Sequence, residues 1–139
     1  FLAVILGILS GVLVSALTIF GFCMLFKFDH IMYVSLLPKS ITTAIGISVS
    51  EEFGGIVALT TAAIIIAGNV GGMFAEIIFK IFGIKEPISK GLALGTASHV
   101  MGTSKAMEIG ELEGAMGSLA IAVAGIITVI VLPFFANLM

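Results

Sequence analysis

The chain has 139 residues, of which 60% are hydrophobic and only 10% charged, with a mean hydropathy of +1.31 and a formal net charge of −2. A soluble domain carries about 25% charged residues, so this composition excludes an ordinary water-soluble protein. It also lacks the basic surface that nucleic-acid binding needs. Cys23 is the only cysteine, which excludes an internal disulfide, and without clustered Cys and His ligands neither a metal site nor a cofactor is expected. The first residue is Phe1, and the first apolar run has no charged region ahead of it and no cleavage signal, so it reads as a span rather than a signal peptide. The chain reads as a piece of a longer protein.

Three uncharged runs, Phe1–Phe26, Phe53–Ala75 and Gly114–Met139, each exceed the ~20 residues a helix needs to cross hydrocarbon. They are continuous rather than alternating, which argues against a β-barrel. The first, Phe1–Phe26, contains Gly7 and Gly11, a spacing that lets another helix approach closely. Lys27, Asp29, His30 and Tyr33 then mark an interface. Ile31–Ser50 follows as a broken segment, because Pro38 lacks an amide hydrogen and disfavours helix at Leu37. An extended entry is expected, then a short helix capped by Ser40 or a neighbour. Phe53–Phe79 is the second full helix. Thr60 and Thr61 bond back to their own helix, Asn69 and the Gly68–Gly72 pair pack against protein, and Glu76 pairs with Lys80. Gly91–Met107 is too polar for a plain span, and Ala115–Met139 is the third full helix, kinked or ended by Pro133. The fold class is thus an all-α integral membrane protein, a single domain over residues 1–139, with three full transmembrane helices and two broken segments.

Lysines cluster after the first and second helices, and acids at residues 51–52 and 108–113. The positive-inside tendency places both lysine clusters in the cytoplasm, which gives five crossings. The alternative, two re-entrant loops, puts Lys80–Lys90 on the opposite side from Lys27. A faint internal echo is also visible: each full helix precedes a lysine and a hydroxyl-bearing segment, with Lys39 and Lys90 51 residues apart. Many carriers are built from such repeats.

A short helix that starts inside the membrane points free amides beyond its first turn, and that end attracts an anion. Lys39, Ser40, Thr42 and Thr43 would add a positive charge and hydroxyls, which suits a small carboxylate; the competing reading is that Lys39 snorkels and the hydroxyls satisfy backbone. In the second broken segment Thr96, His99 and Thr103 fall on one helical face, and Gly91, Gly95, Ser98 and Gly102 on an adjacent small-residue stripe. His99 either meets a carboxylate or exchanges a proton, or is a neutral packing residue. No catalytic constellation is visible, so an enzyme is not expected.

Three blocks carry a resemblance. Leu36–Leu37–Pro38–Lys39–Ser40–Ile41–Thr42–Thr43, Lys90–Gly91–Leu92–Ala93–Leu94–Gly95–Thr96–Ala97–Ser98–His99 and Glu111–Leu112–Glu113–Gly114–Ala115–Met116 resemble the LrgB/CidB family, and correspond to the C-terminal part of a member. Ala44 stands where the family pattern leads one to expect proline, and Gly117 where it has serine. The resemblance implies a multi-pass protein of the bacterial cytoplasmic membrane, embedded in lipid, with an LrgA/CidA-like membrane partner. It implies a link to murein hydrolase control and cell lysis by analogy with holins and antiholins. Relatives that move glycolate, glycerate or pyruvate add a small-carboxylate carrier, with Lys39, Ser40, Thr42, Thr43, Thr96, Ser98, His99 and Thr103 as the expected binding residues. A homo-oligomer is expected, and a non-transporting regulator of a holin-type pore is the alternative.

Overall fold

A computed structural model describes residues 1–139 as six helices without a strand: α1 (Leu2–Phe26), α2 (His30–Leu36), α3 (Thr43–Glu52), α4 (Val57–Ile81), α5 (Pro87–Ile109) and α6 (Glu111–Ala136). Three of them, α1, α4 and α6, are long and apolar enough to cross a membrane. Their outward faces carry Phe22, Leu25, Ile66, Met73, Ile126 and Ile130, all largely exposed. That apolar exterior, with the charges gathered near the helix ends, suits a chain solvated by lipid.

The helix ends follow from local chemistry. Lys27 closes α1 in the left-handed conformation, and its amide reaches back to Cys23 and Met24. The Asp29 side chain then caps α2 by accepting from the Met32 amide at 2.8 Å. Gly83 adopts φ +66° after α4, which lets the Ile84 amide return to the Phe79 carbonyl at 2.8 Å. Glu86 caps α5 through the Ser89 amide at 2.6 Å, and this bond holds its carboxyl below the usual glutamate range. Pro87 occupies the first turn of α5, where its missing amide hydrogen costs nothing. Pro133 does not end α6, which continues to Ala136.

Both interrupted segments double back. In α5 the reversal sits at His99, with φ 43° and ψ −129°. A Cβ on Gly102 would collide with the Leu94 carbonyl, two helical turns earlier in the chain, so the two halves lie side by side. Gly91 abuts Glu113 and Met116 of α6, while Met107 abuts Gly114 and Thr103 lies against Gly117. The chain therefore enters and leaves α5 at the same end of α6. The five-crossing path requires those two ends to be a bilayer apart. In the first unit Ser35 of α2 and Ser50 of α3 are joined through Thr60 of α4, and Pro38 lies beside Gly46. This pair doubles back as well.

The two hairpins point in opposite directions. Ile8 of α1 packs beside Ala120 and Ala124, and Cys23 beside Leu132 and Ala136, so α1 runs parallel to α6. Helix α4 begins beside Ser35 and ends beside Lys90 and Glu108, so it runs the other way. A long helix followed by a doubled-back pair thus occurs twice, in inverted sense. The matching elements start at residues 2 and 57, 30 and 87, and 43 and 100, an offset of 55 to 57 residues. That register replaces the 51-residue spacing drawn from Lys39 and Lys90, and sets Thr96 opposite Lys39.

Several local expectations change. The entry to the first broken segment is helical, not extended: Leu37 is in the right-handed region and its amide bonds the Tyr33 carbonyl at 3.0 Å. Pro38 ends the ladder one residue later because it has no hydrogen to donate. Thr42, not Ser40, precedes α3, and its hydroxyl makes no cap bond. Asn69 is exposed and bonds its own helix at Ile65, while Gly68 and Gly71 provide the packed face. Glu76 pairs with Lys105 of α5 at 2.7 Å rather than with Lys80. Gly11 contacts Thr96, but Gly7 touches nothing.

Candidate functional site

The bend at residues 37–42 presents Lys39 and Ser40, both half-buried, toward α1. The Lys39 ammonium donates to Ser40 Oγ at 3.1 Å and to Ser15 Oγ of α1 at 3.3 Å, and the two serine hydroxyls bond each other at 2.7 Å. No carboxylate lies within salt-bridge distance of Lys39: the ion pairs of the chain are those of Lys105 with Glu76 and Glu108. A cation drawn out of water and surrounded by neutral hydroxyls is a costly arrangement unless an anion joins it.

Lys39 and Ser40 line a groove of about 610 Å³ together with Ser15 and Thr18 of α1 and Ser89 and Thr96 of α5. Its walls run from Ala3 to Thr18 along α1 and from Ser89 to Ala97 along α5. Both walls lead inward from the α5–α6 end of the molecule. The groove therefore extends from Ser89, near that end, to Lys39 and Ser40. Thr96 is 6% exposed, and its Oγ1 is buried without a hydrogen-bond partner. An orphaned hydroxyl of this kind costs about 1–3 kcal/mol, and Thr96 lines the same groove as Lys39.

The expected site residues divide. Lys39, Ser40 and Thr96 share the groove. Thr42 and Thr43 flank the start of α3 and do not line it. The amides of Thr43, Ala44 and Ile45 have no acceptor in the chain, since the first bond of that helix runs from the Gly46 amide to Thr42. Ser98 and His99 face α4: Ser98 is buried against Gly71, and His99 Nε2 lies 2.9 Å from the Ile64 carbonyl. Thr103 is buried beside Gly117, its Oγ1 also unpartnered. The three residues spaced for one helical face do not share one, because the backbone reverses at the middle one. Ser15 and Thr18 belong to the groove and escaped the sequence reading. They are hydroxyls in an otherwise hydrocarbon run, a signal easily dismissed because such groups usually bond their own helix, as Thr18 does at Val14.

The LrgB-like family model matches residues 1–138. The chain belongs to the LrgB family. Antiholin-like protein LrgB of Bacillus cereus strain B4264 and that of Bacillus anthracis strain A0248 are each 40% identical to it over 129 residues, or 93% of this chain. Those residues are 56% of each relative, so this LrgB-family chain spans about half the length of the curated relatives it matches. No solved structure matches it.

Proposed function

We propose that this LrgB-family chain forms the core of a carrier for small hydroxy- or keto-carboxylates in the bacterial cytoplasmic membrane. The observation that carries the reading is the Lys39 ammonium, without a carboxylate partner, at the inner end of a groove that residues of both inverted units line. Inverted repeats with interrupted helices meeting near the bilayer midplane are a recurrent carrier design, because free amides and helix ends supply the ion and substrate contacts. In this reading the carboxylate sits against Lys39, Ser40 and Ser15, and the Thr96 hydroxyl donates to it or to the substrate's second oxygen. The α3 amides at Thr43–Ile45 add positive potential. His99 and Ser98 hold the second hairpin against α4, and Thr42, Thr43 and Thr103 shape the bends.

The hairpins enter from opposite faces. Lys80, Lys85, Lys90 and Lys105 lie toward one face and Lys27 toward the other, so the positive-inside tendency puts the first group in the cytoplasm. The groove then opens to the cytoplasm.

Uptake of labelled glycolate and pyruvate into proteoliposomes containing the full-length protein tests the proposal. Lys39→Ala lowers the initial rate by about tenfold or more if it removes a charge-assisted contact worth ~1.5–3 kcal/mol, and Thr96→Val lowers it by a smaller factor. Equal rates for all three proteins would remove the assignment. The competing reading follows from the relatives' antiholin-like name. A non-transporting regulator that binds an LrgA/CidA-like partner would show no carboxylate uptake and would crosslink to that partner. In either case the link to murein hydrolase control and lysis passes through the membrane.

A further inference from the structure

The end of α4 and both ends of α5 enclose a second cavity, of about 550 Å³, unrelated to the groove at Lys39. Its lining carries Lys80, Lys85 and Lys90, the carboxylates of Glu76 and Glu108, and the apolar side chains of Phe79, Ile84 and Ile109. None of the three lysines is in an ion pair. The two carboxylates of the lining are paired with a fourth lysine, which does not itself line the cavity. Glu76 and Glu108 are both bridged by Lys105, at 2.7 and 3.3 Å, and the Glu86 carboxylate is turned to the Ser89 amide. The cavity therefore sets three lysines that lie outside any ion pair beside apolar side chains, and its lysines outnumber its carboxylates. Beside it, Ile77, Ile81 and Phe82 project outward, exposed by 53, 73 and 74%. Lysines beside exposed hydrocarbon, at the end of a helix long enough to cross a membrane, suit a headgroup and its acyl chains.

We propose that this cavity binds an anionic phospholipid, with the phosphodiester held by Lys80, Lys85 and Lys90 and the acyl chains lying along Ile77, Ile81 and Phe82. A lipid seated there ties the end of α4 to the α5 hairpin. It would steady the element whose first half walls the groove.

Native mass spectrometry of the full-length protein, titrated separately with phosphatidylglycerol, phosphatidylcholine and inorganic phosphate, is the test. Phosphatidylglycerol is retained in preference to phosphatidylcholine, and the preference falls roughly fivefold for each lysine removed in a Lys80→Gln, Lys85→Gln, Lys90→Gln series. Lys27→Gln, on the other face, leaves it unchanged. Equal retention of the two lipids by the unaltered protein, or an unchanged preference in the triple variant, would overturn the proposal. So would saturable binding of inorganic phosphate that displaces the lipid, since that marks a soluble-anion site instead.

Discussion

At the scale of single residues, the same side chain type does different work according to what its neighbours leave unsatisfied. Thr60 and Thr61 are adjacent threonines in one helix. Thr61 Oγ1 bonds only the Val57 carbonyl of its own helix. Thr60 Oγ1, fully buried, reaches the Ser35 carbonyl at 2.8 Å and Ser50 Oγ at 2.7 Å, so it fastens α2 and α3 to α4. Ser35 Oγ in turn accepts from the Ile56 amide at 2.7 Å. Thr60→Val is expected to cost about 1–3 kcal/mol, because it strands buried partners, while Thr61→Val stays within about 0.5 kcal/mol; thermal unfolding in detergent compares them. His99 presents a second residue-scale case. Its positive φ costs of order 1–3 kcal/mol in a residue with a Cβ, and its ring bond to Ile64 offsets part of that. Glycine relieves the backbone but loses the bond, whereas alanine loses the bond and keeps the strain. The expected melting order is therefore His99→Gly above His99→Ala. The reverse order would show that the reversal does not need this backbone conformation.

At the scale of elements, what holds the hairpins is close approach rather than greasy contact. Helices in lipid gain little from burying hydrocarbon against each other, so small residues that admit a neighbouring backbone decide the pairing. Gly91 and Gly95 admit α6 at Glu113 and Gly117, and Gly68 admits the His99 ring, where a Cβ would stand 2.6 Å from Cε1. The sequence shows the glycines but not their partners, which is why the stripe at 91–102 reads as one helix face when it serves a fold-back. Pro38 signals a break plainly. His99 carries no such signal, since a histidine in the left-handed region is dictated by packing around it and not by propensity. Charge counting alone does not register a fold-back, because a hairpin returns its charges to the end it left. With Cys23→Ala as background, Lys85→Cys and Glu111→Cys are expected to react with an impermeant thiol reagent from the same face, and Lys27→Cys from the opposite face. Labelling of Lys85→Cys and Lys27→Cys from one face would restore the five-crossing path.

At the scale of the whole molecule, two inverted units set a lysine-bearing bend and a threonine-bearing half-helix on one groove. The three long helices are legible from hydropathy. The groove is not, because Ser15 and Thr18 lie in α1, and their meeting with Lys39 and Thr96 depends on the inversion. The inversion itself leaves only a faint trace in residue identity, since the matched positions Lys39 and Thr96 share a location and not a chemistry. The groove's polarity gives the central claim a consequence for selectivity: a carboxylate should bind, and its uncharged amide should not, because an unpaired ammonium is what the ligand neutralises. Equilibrium binding of labelled glycolate to the purified full-length protein, competed with unlabelled glycolate or glycolamide, measures this directly. Saturable binding displaced by glycolate but not by glycolamide, and reduced about tenfold or more by Lys39→Ala, is the expected result; binding that Lys39→Ala leaves intact, or that glycolamide displaces equally well, would contradict it.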